Sequence, residues 1–311
     1  MRSKFGDQIL AMAAGAAQKN NCQSIGPNER PLHEELWNLG KFDSMLYPDL
    51  PDLSDNPDNS KDPVPPLSAQ EKQSTTYESC APQQHPAPML KVRTVAAQLR
   101  SPSTLQKRLL SAVHYEGAKG LLLVSGGHPG RTPSAVPQLS DCFTLLEAAQ
   151  RLQREGQLPP GIPLGVVANP LRERADYLHR KVEAGAQVVW TQPPLLPDAF
   201  DNWWEDVSKR GIPDEVPIIM GVAFPTSVRA MQMWLQLTNS DATQEGRHVL
   251  DQWNKASEAE DFANWRRNWI MEQASRVASC KGNAGDHWMP ITPAGYRDAI
   301  QMMRTAGQMS G

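Results

Sequence analysis

The stretch KVEAGAQVVWTQ, residues 181–192, reads as the end of a helix, a glycine turn and a buried strand that delivers an amide. Lys181 and Val182 close an amphipathic turn, and Gly185 supplies the left-handed helix stop. Residues 187–191 are apolar enough for a strand buried on both faces, the mark of a parallel sheet covered by helices. In parallel α/β folds ligands collect at the carboxyl ends of the strands, which is where Gln192 falls.

Working outward, apolar strand-length runs recur at residues 89–96, 120–124, 163–168, 187–191, 217–222 and 287–291. Between them, Leu105, Leu109 and Val113 share one helical face, as do Leu145, Ala149 and Leu152, and then Leu171, Ala175, Leu178 and Val182. Helices are also expected at 227–237, 243–254, 258–278 and 293–305. The alternation predicts an α/β fold of the (β/α)8 TIM-barrel type, incomplete, with about six recognisable strands. Trp253, Trp265 and Trp269 fit interhelix anchors.

Upstream the pattern differs. Residues 1–46 read as an N-terminal helical extension, with helices at 4–18 and 32–46. Residues 47–88 are rich in Pro, Asp, Ser, Gln and Asn, a composition that buries too little apolar area to offset chain ordering, and read as a linker or wrapping arm. Residues 89–311 form the barrel domain. An open six-stranded sheet exposes two edges, so a protein partner, a second copy or the N-terminal arm is expected to cover them, unless the chain is part of a longer product.

Composition narrows the function classes. A chain of 311 residues is long enough for one large α/β domain. A net charge of -3 with mixed signs offers no basic stripe for nucleic acid, so small molecules or proteins are the expected partners. The four cysteines, Cys22, Cys80, Cys142 and Cys280, lie far apart without zinc-ligand spacing, and no metal is expected. No apolar run approaches the roughly 20 residues of a membrane span. A cytoplasmic protein is expected, with a mitochondrial presequence as the alternative on the basic, apolar start of the chain.

Four strand ends carry candidate ligand groups. Gly126, Gly127 and His128 follow the strand at 120–124, and glycines there let a backbone expose N–H groups to a phosphate or a flavin edge. A flexible turn is the alternative. Asn169 ends the next strand, either contacting a cofactor or capping the following helix. Gln192 presents a donor and an acceptor against an apolar wall, which suits a pterin or flavin edge; bonding to a neighbouring loop is the alternative. Phe224 stacks on a flat ligand or plugs the barrel mouth. His128 and His287 stand at strand ends with no partner legible for acid–base work.

Residues 180–192, RKVEAGAQVVWTQ, resemble the RKVDAGADFxITQ signature of the methylenetetrahydrofolate reductase family. GLLLVSGGHPG, GVVANP and PIIMGVAFPTS are similar to further family blocks, in the same order. The resemblance implies a barrel that binds FAD and passes hydride from a reduced nicotinamide, NAD(P)H, to a folate-bound methylene group. It places Gln192 on the folate pterin and Lys181 on the phosphate side of the flavin. The chain departs from the family where Gly126, Gly127 and His128 replace its Arg, Gly and Asp, and where Asn169 replaces a tyrosine. The FEFFPP-like segment with the general-acid glutamate has no counterpart. Two functions are therefore carried forward: a reductase-like protein of one-carbon metabolism, and a catalytically inactive family member serving as a structural or regulatory subunit of an assembly.

Overall fold

A computed structural model describes residues 8–11, 35–36, 44–47, 90–97, 102–126, 141–290 and 292–309. The apolar runs that read as strands are strands: β3 (Leu90–Ala96), β4 (Gly120–Val124), β5 (Leu164–Ala168), β6 (Val188–Thr191), β7 (Ile218–Ala223) and β8 (Asn283–Met289). Each pairs in parallel with the next. Parallel neighbours need crossovers, and helices supply them. These are α1 (Pro102–His114), α2 (Cys142–Arg154), α3 (Ala175–Glu183), α4 (Pro197–Lys209), the one-turn α5 (Ile212–Glu215), α6 (Val228–Leu237), α7 (Gln244–Ser257), α8 (Phe262–Ser279) and α9 (Pro293–Met309).

Two shorter strands complete the sheet. β1 (Gln8–Ala11) and β2 (Ser44–Tyr47) pair with each other, β2 pairs with β3, and β1 pairs with β8, so the eight strands form a closed barrel. This corrects the reading of residues 4–18 and 32–46 as helices where they include residues 8–11 and 44–46. QILA and SMLY are tetrapeptides too short to display a period of two, and their extended form comes from hydrogen bonding to the edges of β8 and β3. Those are the two edges a six-stranded sheet would leave open. The chain covers them itself, which removes the edge argument for a partner or second copy. Apart from Tyr47, the arm read at residues 47–88 lies outside the described residues.

The last strand is also corrected, from 287–291 to Asn283–Met289. Its first half, Asn283 to Asp286, is polar and only half-buried, so hydropathy does not reveal it. A register irregularity between Ile218 and Ile219 lets Gly285 pair opposite Ile219.

The core divides as a barrel requires. Leu46, Val92, Leu122, Val188, Trp190 and Ile219 pack together inside the strands. The alternate residues Leu121, Leu123, Val166, Val189, Ile218, Met220 and Val222 face outward, where Leu109, Leu145, Leu178, Phe200 and Val277 of the helices cover them. Gly165 illustrates how tightly the interior fills: its absent Cβ would lie 2.1 Å from Cζ3 of the Trp190 indole. Trp253 takes edge-on contacts from Phe262, Trp265 and Trp269, so the tryptophan cluster is an interhelix anchor as expected.

Candidate ligand site at the barrel mouth

Side chains alternate along each strand, so Gln192 continues the inward face of β6 after Val188 and Trp190. Its N–H donates to the Ala168 carbonyl at 2.8 Å, which extends the β5 pairing one residue past the strand. Buried Pro193, Pro194, Leu195 and Leu196 follow and carry the chain into α4. The Gln192 side chain is half-buried and makes no hydrogen bond to another described residue. An amide with two donors and an acceptor is thus presented at the barrel mouth above the Trp190 floor.

The ladder register places other groups beside it. Ala168 pairs with Thr191, so Asn169 stands next to Gln192; Trp190 pairs with Ile219, so Gln192 stands next to Gly221; and Gly221 pairs with His287. Because the strands tilt, this rung runs obliquely, from the exposed turn after β5 down into the barrel at β8. Gly221 is a point of close approach. Its absent Cβ would lie 2.6 Å from the Thr191 carbonyl oxygen and 3.1 Å from Pro193 N, the backbone on either side of Gln192, and 2.8 Å from the Met289 methyl Cε. Only glycine lets the Gln192 turn fold inward there. The Gly221 N–H also donates to Thr191 Oγ1 at 3.0 Å.

Asn169 and Phe224 are engaged inside the protein. Asn169 Oδ1 accepts from Leu171 N at 3.1 Å and its Nδ2 donates to the Thr238 carbonyl at 2.9 Å, so both ends of the amide hold the turn and the loop after α6. The following helix α3 starts after Arg174 without a side-chain cap, so Asn169 holds the turn and does not cap that helix. Phe224 is fully buried, its ring 5.2 Å from that of Trp288, and therefore plugs the helix-facing core instead of stacking on a ligand. Gly126 adopts φ +91, the left-handed region that favours glycine, directly after β4. Gly127 and His128 lie outside the described residues.

Lys181 is buried on α3. Its ammonium donates to the Val167 carbonyl and to Glu173 Oε2, each at 2.7 Å, and lies 4.8 Å over the Tyr177 ring. Burial pushes the Glu173 carboxyl above the usual carboxylate range, and the Lys181 charge pulls it back less than burial raises it. The same burial raises the Cys142 thiol, with Lys181 opposing it. Glu173, in the turn before α3 and eight residues before Lys181, is the partner that sequence reasoning did not find.

Residues 159–273 match the family described as Methylenetetrahydrofolate reductase. That region holds α3, β6, Gln192, β7 and most of α8. Over these residues the chain is similar to that family.

Among solved structures, a Clostridium thermocellum protein that binds two copies of 5-methyl-5,6,7,8-tetrahydrofolic acid is similar with a TM-score of 0.58 and 13% identity, over 98% of this chain and 96% of that one. An oxaloacetate acetylhydrolase in complex with 3,3-difluorooxalacetate is similar with a TM-score of 0.41 and 12% identity, over 98% and 92%. No curated protein matches. The FAD implied by the resemblance would have Lys181 and Asn169 among its contacts. Lys181 is neutralised by Glu173 and Asn169 is engaged at both ends, so neither fits a flavin contact in this arrangement. Among the described residues no group of three or more His, Cys, Asp or Glu is placed to hold a metal, and no helix is long and apolar enough to cross a membrane.

Proposed function

We propose that the mouth of this barrel binds a reduced folate, and that the protein acts in folate-linked one-carbon metabolism through that binding. The observation that carries the reading is the Gln192 amide, unbonded within the described protein and directed from the end of β6 over an apolar interior. A pterin edge offers a lactam carbonyl, a ring N–H and an amino group in one plane, and a carboxamide can donate to the first and accept from either of the others. Each such bond, made where water is excluded, adds orientation as well as affinity. The Clostridium thermocellum neighbour's own folate ligand supports the same class of small molecule.

Of the two functions carried forward, the engagement of Lys181 by Glu173 and of Asn169 by Thr238 favours folate binding without flavin-mediated hydride transfer. A reductase would require a hydride donor seated beside the folate, and two of the groups expected to hold a flavin, Lys181 and Asn169, are bonded elsewhere. The test is equilibrium binding of methyltetrahydrofolate, together with flavin absorbance and dye-linked methyltetrahydrofolate oxidation on the purified protein. Wild type should bind, colourless and inactive in the oxidation assay. Gln192→Ala should lose about tenfold in affinity and change stability by no more than about 0.5 kcal/mol, as for a surface substitution. Equal affinity in wild type and variant would remove Gln192 from the site. A yellow, oxidising protein would reinstate the reductase.

A further inference from the structure

The inward side chains at the mouth are not equally buried. Leu122, Trp190 and Ile219 are sealed inside the barrel, at 3%, 1% and 0% exposure. Thr94, Val124, Val167 and Gln192 face the same interior nearer the carboxyl ends of β3, β4, β5 and β6, and each is only half-buried. Thr94 takes its direction from Val92, two residues earlier on β3 and part of the interior cluster. A side chain that points into a closed barrel meets solvent only where the space above it is open. The open part of the mouth is therefore the β3–β6 half. On the other half the Thr191 carbonyl, Pro193 N and the Met289 methyl close over Gly221.

Register sets the height of Thr94. The rung that crosses β6 at its first residue, Val188, crosses β5 at Gly165, β4 at Leu122 and β3 at Thr94. Thr94 already stands four residues past Leu90, the start of its strand, so the rung climbs toward the mouth as it passes from β6 to β3. Gln192 stands four residues past Val188 and reaches the same level. Three places apart in a ring of eight, β3 and β6 are nearly opposite each other. The Thr94 hydroxyl, like the Gln192 amide, makes no hydrogen bond to another described residue. Between these two polar groups Val124 and Val167 form an apolar wall, and the Trp190 indole, lying against Gly165, forms the floor. An eight-stranded barrel has room inside for its own side chains or for one small ligand, and the short side chains at this level leave that room to a ligand.

Resting on the folate reading above, we propose that Thr94 is a second binding residue of that site, and that the pterin spans the mouth from Gln192 to Thr94. With the lactam and amino edge of the ring on Gln192, the opposite edge, which carries N5 and N8, meets Thr94. N5 bears the methyl group in methyltetrahydrofolate, so N8–H is the donor and the Thr94 hydroxyl oxygen the acceptor. One face of the heterocycle lies on Val124 and Val167, an apolar contact that an uncharged ring makes without the cost of burying a charge.

The experiment compares wild type, Thr94→Val and Thr94→Ser for binding of tetrahydrofolate and of 8-deazatetrahydrofolate, in which a carbon replaces N8, with melting temperatures alongside. Thr94→Val keeps the shape of the side chain and removes its hydroxyl. It should bind tetrahydrofolate about tenfold more weakly than wild type does, bind the 8-deaza probe as wild type does, and melt no lower. Thr94→Ser keeps the hydroxyl and should stay within about threefold of wild type on tetrahydrofolate. Wild-type affinity of Thr94→Val for tetrahydrofolate would overturn the proposal, and so would an equal loss on both probes, which marks packing and not a bond to N8. Should Thr94→Val fail to fold, wild type and Thr94→Ala decide: wild type must prefer tetrahydrofolate to the 8-deaza probe and Thr94→Ala must lose that preference. A preference that is missing in wild type or persists in Thr94→Ala overturns the assignment. Failure of wild type to bind tetrahydrofolate at all sinks the folate reading itself, a separate outcome from normal wild-type binding with an unaffected Thr94 variant.

Discussion

Lys181→Met separates a structural lysine from a ligand-binding one. The substitution keeps the apolar stem and removes the ammonium that donates at 2.7 Å to both Glu173 Oε2 and the Val167 carbonyl. With side-chain exposures of 5% and 11%, neither partner of this pair has water as a substitute. Breaking a buried pair from one side costs about 3–5 kcal/mol, because a charge is left behind. The structure sets a ceiling, however. Once Lys181 is gone, Glu173 can take up a proton, and holding a carboxyl of unfolded pKa near 4.3 neutral at pH 7 costs about 3.7 kcal/mol. The same reasoning at pH 5 gives about 1 kcal/mol. Glu173 is already raised by burial, so its neutral form is favoured by folding: that stability is present below the unfolded pKa and lost as pH rises toward the folded one. The destabilisation by Lys181→Met should therefore be large at pH 7 and shrink toward pH 5. Urea unfolding followed by tryptophan fluorescence at both pH values measures it. The double variant Lys181→Met/Glu173→Met should recover most of the loss, since replacing both members of a buried pair by apolar residues is often neutral. A Lys181→Met protein of wild-type stability that had lost ligand affinity would refute the reasoning and return Lys181 to a ligand phosphate.

Two further outcomes follow from the site. Gly221→Ala sets a methyl 2.6 Å from the Thr191 carbonyl oxygen, a backbone atom that cannot swing away. It should cost about 1–3 kcal/mol and displace Gln192, so that melting temperature and methyltetrahydrofolate affinity fall together; a variant unchanged in both contradicts the packing. His287 is held neutral, so below pH 6.5 the unfolded chain gains a proton that the folded one refuses, and stability falls as pH drops from 6.5 toward about 3. By pH 5 wild type should have lost about 2 kcal/mol relative to His287→Leu. Glu173 and Asp286, both raised by burial, act in the opposite sense and cancel in that comparison. Parallel stability curves for the two proteins would refute it.

The alternation of apolar runs with helical periods was enough to read the parallel α/β barrel, six of its strands, most helix positions and the place of Gln192 at a strand end, because these rest on neighbours close in the chain. Each remaining feature depends on contacts the local pattern does not encode. QILA and SMLY become strands through hydrogen bonds to β8 and β3, far along the chain. Asn169 is engaged by Thr238, 69 residues away, so the same asparagine that reads as a cofactor ligand is a loop anchor. Lys181 matches a family signature, yet its charge is claimed by Glu173 once α3 packs on β5. Phe224 reads as a stacking ring until the helices bury it. Gly221 is unremarkable in sequence and acquires meaning when register sets it beside Gln192. Periodicity follows from covalent geometry, whereas the partner of a polar side chain is chosen by whatever the closed barrel brings within hydrogen-bond reach and away from water.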